Sequence, residues 1–232
     1  MNHFESCVIC GKPLVYFDEE KEMECEICHQ IFKSNVSCTD GHYICDHCHS
    51  EKAINIVYLK CLGQKSKNPI DIFRYLIKED AVFMHGPEHH VLVAASLLTA
   101  YYNAGGNINL KESINKAIDR GSKVPGGACG FFGSCGAGVS SGIFISIITS
   151  STPLSKKEWQ LCNLMTSRSL KKIALAGGPR CCKRNSYLAL LTAIDFVNEI
   201  SHIKLEKPDF IECFHSPYNK QCLKKECPFY KA

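Results

Sequence analysis

The residues with the most chemistry to offer are cysteines, sixteen of them in 232 residues. Two, Cys129 and Cys135, fall in the stretch 125–148, PGGACGFFGSCGAGVSSGIFISII, a glycine-rich loop that runs into an apolar segment. Gly126, Gly127, Gly130, Gly133, Gly136 and Gly138 reach backbone angles closed to other residues and let a ligand approach the main chain. A thiol at a helix start faces unpaired backbone N–H groups and the positive end of the dipole. Both favour thiolate, the form that attacks electrophiles and binds metals. The pattern predicts a nucleophile or cluster ligands at Cys129 and Cys135, with Gly126, Gly127, Gly130 and Gly133 shaping the binding loop. The plainer alternative is a tight turn between core helices carrying two inert thiols.

The stretch 177–185, GGPRCCKRN, repeats the plan. Gly177 and Gly178 lead into a thiol at a helix start, and Arg180, Lys183 and Arg184 add charge that lowers a thiol pKa or holds an anion. Adjacent side chains on a helix point about 100° apart, so one of Cys181 and Cys182 faces the site and the other the core. We assign Cys181 to the site and Cys182 to the core, with Arg180 as anion anchor. The stretch 85–90, HGPEHH, offers Glu88 and His89, with His85 or His90, as proton handlers or ligands in the same cavity. It contains H-x-x-E-H, which resembles an inverzincin metalloprotease motif, but Gly86 and Pro87 interrupt the continuous helix that motif needs. The alternative there is helix capping plus solvated histidines.

Two further groups have metal-ligand spacing. Cys7-x2-Cys10, Cys25-x2-Cys28, Cys38, His42 and Cys45-x2-Cys48 provide eight ligands, enough for two tetrahedral zinc ions. Sequential pairing would join Cys7, Cys10, Cys25 and Cys28 on one ion. A cross-brace would join the first knuckle to Cys38 and His42 and the second to Cys45 and Cys48. That ligand order resembles the cross-brace zinc domains of the RING, PHD and FYVE type over about fifty residues. The tail carries Cys213-x8-Cys222-x4-Cys227-Pro with His215 inside, soft ligands suited to an iron–sulfur cluster or a third zinc. Cys61 and Cys162 read as core positions on helix faces.

Composition bounds what such sites could serve. The chain is 45% hydrophobic and 22% charged, ordinary for a globular protein with a real core. Its net charge of +4 is too small to argue for nucleic acid. The first residues, MNHFESCVIC, do not read as a signal peptide. No apolar run reaches the roughly 20 residues of a membrane span. A cytoplasmic setting is expected, where reduced thiols make CxxC spacings metal or redox sites rather than disulfides.

The elements that must position these residues are mostly helical. Residues 1–49 form the Cys/His module, and 50–68 a helix capped by Ser50, ending at Gly63, plus a polar linker. Residues 69–232 form an α-helical, cysteine-rich domain. Helices open at Pro69 and Pro87, the latter running through Leu92, Ala95, Leu98 and Tyr102 to Gly105. Others open at Asn109 and Pro153, and a last one places Tyr187, Leu190, Leu191 and Ile194 on one face.

Together GGACGFFGSCGAG, GGPRCCKRN, HGPEHH and the tail CFHSPYNKQCLKKECPFY, behind a double zinc knuckle, resemble a family of uncharacterised bacterial and archaeal proteins. It is defined as a domain of unknown function, and the resemblance covers nearly the whole chain. The central loop also resembles, more loosely, the C-GCA motif of small cysteine-rich redox proteins. The expected fold is thus a small zinc-binding module, treble-clef or ribbon-like, plus a mainly α-helical domain. The expected function is a metal- or thiol-dependent enzyme of sulfur, redox or one-carbon chemistry with a small-molecule or thiol substrate. It would hold two zinc ions in the module and an iron–sulfur cluster or third zinc in the helical domain. The competing class is a binding protein whose zinc module docks nucleic acid or a protein, or a metal or sulfur carrier.

Overall fold

The computed structural model describes residues 7–231. Strands β1 (Leu14–Glu24) and β2 (Ile31–Cys38) pair antiparallel, Leu14 opposite Cys38 and Glu24 opposite Ile31, with an irregularity between Tyr16 and Lys21. Most side chains of β1 are exposed, so the hairpin buries little apolar surface. A lone two-stranded hairpin is marginal in water, and this one needs other support.

Helix α1 (Asp46–Gly63) leaves this module and enters the body. It starts earlier than the expected Ser50, because the Cys45 sulfur caps it by accepting the Cys48 N–H at 3.5 Å. Ser50 is instead buried inside the helix, its hydroxyl donating to the Asp46 carbonyl at 2.6 Å. The division between residues 49 and 50 therefore falls within one helix.

The body continues as α2 (Pro69–Leu76), α3 (His89–Asn103), α4 (Leu110–Gly121), the one-turn α5 (Ala128–Phe131), α6 (Gly136–Ile148), α7 (Lys157–Leu175) and α8 (Cys182–Ile200). Asn68 and Asn109 cap α2 and α4 with their side-chain oxygens, as residues of that type do at helix starts. Helix α3 begins at His89 rather than Pro87. Helix α7 begins at Lys157 rather than Pro153, since Ser155 Oγ accepts the Thr152 N–H at 3.0 Å and holds a turn there. From Ser201 the chain runs as an extended tail with two short 3-10 turns.

Helix α3 is the centre of the core. Val91 to Ala95, Leu97, Leu98 and Ala100 are buried, and α1, α2, α4, α6 and α8 surround them. Cys61 is buried in this core and Cys162 packs half-buried against it. Gly136 and Gly138, read from sequence as loop residues, lie within α6. Its small residues form a surface on which α7 rides closely, with Ser141 and Ser169 hydroxyls 2.9 Å apart. A Cβ on Gly142 would overlap Thr166 Oγ1 and come within 3.1 Å of the Cys162 carbonyl oxygen. Among the described residues no helix is long and apolar enough to cross a membrane.

The α6–α7 contact should tolerate no added volume. Gly142→Val is expected to cost about 1–3 kcal/mol through overpacking. A urea titration would show it as a lower midpoint at unchanged slope; an unchanged midpoint would mean the helices can separate freely.

Candidate functional site

The eight expected ligands of the N-terminal module fall into two interleaved sets. Cys7, Cys10, Cys38 and His42 form one, and Cys25, Cys28, Cys45 and Cys48 the other, each with its ligand atoms within 4.8 Å of one another. This is the cross-brace pairing. The Cys10 and Cys38 sulfurs are 3.8 Å apart and those of Cys28 and Cys45 3.9 Å. A tetrahedral ion with metal–sulfur bonds of about 2.3 Å has an edge of about 3.8 Å. The N–H of Asp40 points at Cys38 Sγ (3.3 Å) and that of Cys45 at Cys25 Sγ (3.4 Å). Burial pushes the Cys25 thiol up, but the N–H groups of Cys28, Cys45 and Ile27 outweigh it and bring the pKa down to about 6. Against the same burial, N–H groups of Asp40 and His42 bring Cys38 down to about 7. Each set could hold a metal ion such as zinc, and four protein ligands leave no open position for catalysis.

Between this module and the helical body runs a groove of about 450 Å³, within the size range of small-molecule sites. The first turn of α1 builds its floor. Asp46 Oδ2 accepts the Gly126 N–H at 2.6 Å, and a Cβ on residue 126 would lie 2.7 Å from Asp46 Oδ1, so the glycine is required for this approach. His49 packs on Phe83 with ring centres 4.6 Å apart. Arg180 reaches from the body to Tyr16 of β1, its guanidinium 5.2 Å from the ring centre.

Cys129, Cys182, His85, His90 and Arg180 line this groove. Cys135, the N-cap of α6, stands behind them with its sulfur 3.4 Å from Asn185 Nδ2. Cys129 and Cys182 each feel the charges of Cys135 and Arg180, so three thiols and a guanidinium form one electrostatic group. The Gly86 N–H faces the Cys182 sulfur, and His85 Nδ1 accepts the Cys182 N–H at 3.4 Å. His90 donates from Nδ1 to the Val124 carbonyl at 2.9 Å, which leaves Nε2 towards Gly136.

The expected thiolate setting is not what forms. Burial pushes Cys129 up, and pushes Cys182 up to about 12, despite the N–H groups and Arg180. Cys129 sits in a helix of a single turn, too short for a dipole to compete with desolvation. A bound cation would be needed to take the protons off.

Glu88 and His89 do not reach the groove, contrary to the sequence reading: they are 0% and 1% exposed. They form a buried relay instead. His89 Nδ1 lies 3.3 Å from Glu88 Oε1 and 3.1 Å from the Gly86 carbonyl, and two acceptors there place its hydrogen on Nδ1. Nε2 then accepts from Lys183 Nζ at 3.0 Å, and Lys183 also donates to the Phe83 carbonyl. Burial raises the Glu88 pKa in isolation, but His89, His49 and Lys183 reverse this and hold it at about 2. Burial and Lys183 bring His89 down to about 4, so the imidazole is neutral between a carboxylate and an ammonium.

The assignment of Cys181 and Cys182 is reversed. Cys181 Sγ accepts the Arg184 N–H at 3.4 Å as the N-cap of α8, which turns it away from the groove. It lines a second, smaller cavity with Cys213, Cys222 and Cys227 of the tail. Of the expected binding-loop glycines, Gly126 and Gly127 line the groove, whereas Gly130, Gly133, Gly177 and Gly178 are not among its walls. Arg184 pins the latter turn by donating to the Gly177 and Pro179 carbonyls at 2.7 and 2.9 Å. Sequence reasoning did not single out Asp46, Asn185 or Asn219. For Cys182 the available signal was the cysteine doublet itself, one thiol for each side of a helix.

Removal of Lys183 should strand a buried carboxylate. Lys183→Met is expected to lose about 3–5 kcal/mol in urea unfolding, with part recovered in Lys183→Met combined with Glu88→Gln. A strong chelator should make residues 7–45 protease-sensitive while the far-ultraviolet helical signal persists, because most of β1 is exposed and the hairpin buries little apolar surface of its own.

No curated protein and no solved structure matches the chain. A family model described as "Family of unknown function (DUF5714)" matches residues 57–230. That span holds the thiols of both the groove and the tail and excludes the hairpin, and on it this cysteine-rich chain belongs to that family of unknown function.

Proposed function

We propose that this protein is a metal-dependent enzyme of sulfur or redox chemistry, with its reactive centre in the groove. Two zinc ions in the cross-brace module would be structural. An iron–sulfur or zinc centre in the helical body would be separate from them. The observation that carries the reading is the convergence of Cys129, Cys182 and Arg180 on a groove of about 450 Å³, with Cys135 behind them. Cys129 and Cys135 from one loop and Cys182 from the start of α8 are not a compact set as they stand, but drawn onto one metal they would leave it a free position, the arrangement that distinguishes catalytic from structural metal sites. Arg180 would hold an anionic group of a small substrate, its planar donors suited to carboxylate or phosphate. His85 and His90 stand where a proton could be passed to that substrate.

Burial favours this reading over catalysis by a free thiolate, because it keeps Cys129 and Cys182 protonated without a cation. Glu88, His89 and Lys183 would act at one remove, holding the Gly86 loop against Cys182. The test is metal analysis of anaerobically purified protein. Metal beyond the two N-terminal ions is expected, and Cys129→Ser, Cys135→Ser and Cys182→Ser should each lose the same share of it. Cys162→Ser, half-buried on α7, should lose none. Metal content unchanged in all three groove variants would end the reading.

A further inference from the structure

We propose that Cys181, Cys213, Cys222 and Cys227 bind a [4Fe–4S] cluster, with Cys181, far from the tail in sequence, as the fourth ligand. This rests on the reading that the helical body carries a metal centre, and it names the centre and its ligands without depending on the groove.

All four thiols line one cavity. Cys213 lies within electrostatic range of Cys181, Cys227 and Cys222, so a thiolate at any of them would act on it. Its sulfurs are supplied with N–H donors of the kind that stabilise metal-bound thiolate. Cys181 has the Arg184 N–H at 3.4 Å and Asn219 Nδ2 at 3.5 Å. Cys222 has the Lys224 N–H at 3.3 Å, and Cys213 that of His215. Lys224 takes a left-handed backbone angle, φ 49°, at the turn that aims its N–H. Strain of that kind in a non-glycine residue persists where the surroundings impose it, commonly at functional sites.

Charge points the same way. Lys183 and Arg184, which follow the cysteine doublet, are 0% and 3% exposed, and the buried carboxylate near Lys183 is Glu88. Arg184 lines the cavity itself. Four thiolates on an iron–sulfur core carry net negative charge and would balance a buried guanidinium that neutral thiols leave uncompensated. Met84, Tyr187 and Phe229 supply the apolar walls such a cluster needs against solvent.

Among the described residues, the sets of three or more ligand atoms within 4.8 Å of one another are the two in the N-terminal module, so no three of the tail's ligand atoms form the compact set that a single ion takes. On assembly two ferrous and two ferric ions, four sulfides and the four thiols combine, the four thiol protons leave and four sulfur–iron bonds form, so no electron is gained or lost.

The full-length protein, reconstituted anaerobically with ferrous and ferric iron in equal amounts and sulfide, tests this. Cys181→Ser, Cys213→Ser and Cys222→Ser should each lose about four irons and as many acid-labile sulfides per chain, while Cys182→Ala keeps them. Retention of two zinc ions serves as the folding check for each variant. Should Cys181→Ser fail that check, the half-buried Cys222 carries the same readout. A third zinc without sulfide, iron retained in the folded tail variants, or loss of the cluster in Cys182→Ala would overturn the assignment. A tail cluster intact in protein whose groove variants lose no metal would sink only the groove reading.

Discussion

The constraint from which the rest follows is that Cys45 and Cys48 belong at once to a four-thiol set and to the start of α1. The hairpin before them is largely exposed and cannot hold itself. The helix after them is built into the core through Ala53, Val57 and Cys61. Fixing these two sulfurs therefore fixes the module on the body. The same turn carries Asp46 and His49, which hold the Gly126 backbone and the Phe83 ring. The groove is the space left between two parts that share one helix.

A second constraint is the burial of charge. Lys183, Arg184 and Glu88 are almost without solvent contact, and desolvation of that kind is strongly unfavourable unless partners are close. His89 links two of them while staying neutral, which lets an ammonium and a carboxylate stabilise each other through a ring. Lys183 and Arg184 lie immediately after the cysteine doublet, so the buried cations sit between the two thiol sets. Burial raises the pKa of Cys129, Cys181, Cys182 and Cys213 and so favours their thiol form; metal would reverse that balance. The arrangement suits cation-bound sulfur better than free reactive thiols.

Much of this was legible from residue type and spacing. CxxC knuckles with a histidine among eight ligands announced two metal sites, since few other uses exist for that spacing. Apolar periodicity placed the long helices to within a turn, because each buries a continuous stripe. The errors fell where a tertiary contact competed with a local rule. Ser50 has a capping side chain, but the Cys45 sulfur already occupied that role. Gly136 and Gly138 read as loop residues, yet they thin a helix surface so that α7 can approach. Glu88 and His89 resemble acid–base residues, yet they are sealed beneath the loop that carries them.

Sequence by itself determined the number of ligands, the helical class of the body and the fact that Cys181 and Cys182 must face opposite ways, because these follow from valence and helix geometry. Only the tertiary structure decided which knuckles share an ion and which thiol of the doublet joins which set. Those outcomes depend on distances between segments far apart in the chain. No local preference encodes that the tail folds back through Phe229 against Tyr187, bringing Cys213 and Cys227 to the start of α8.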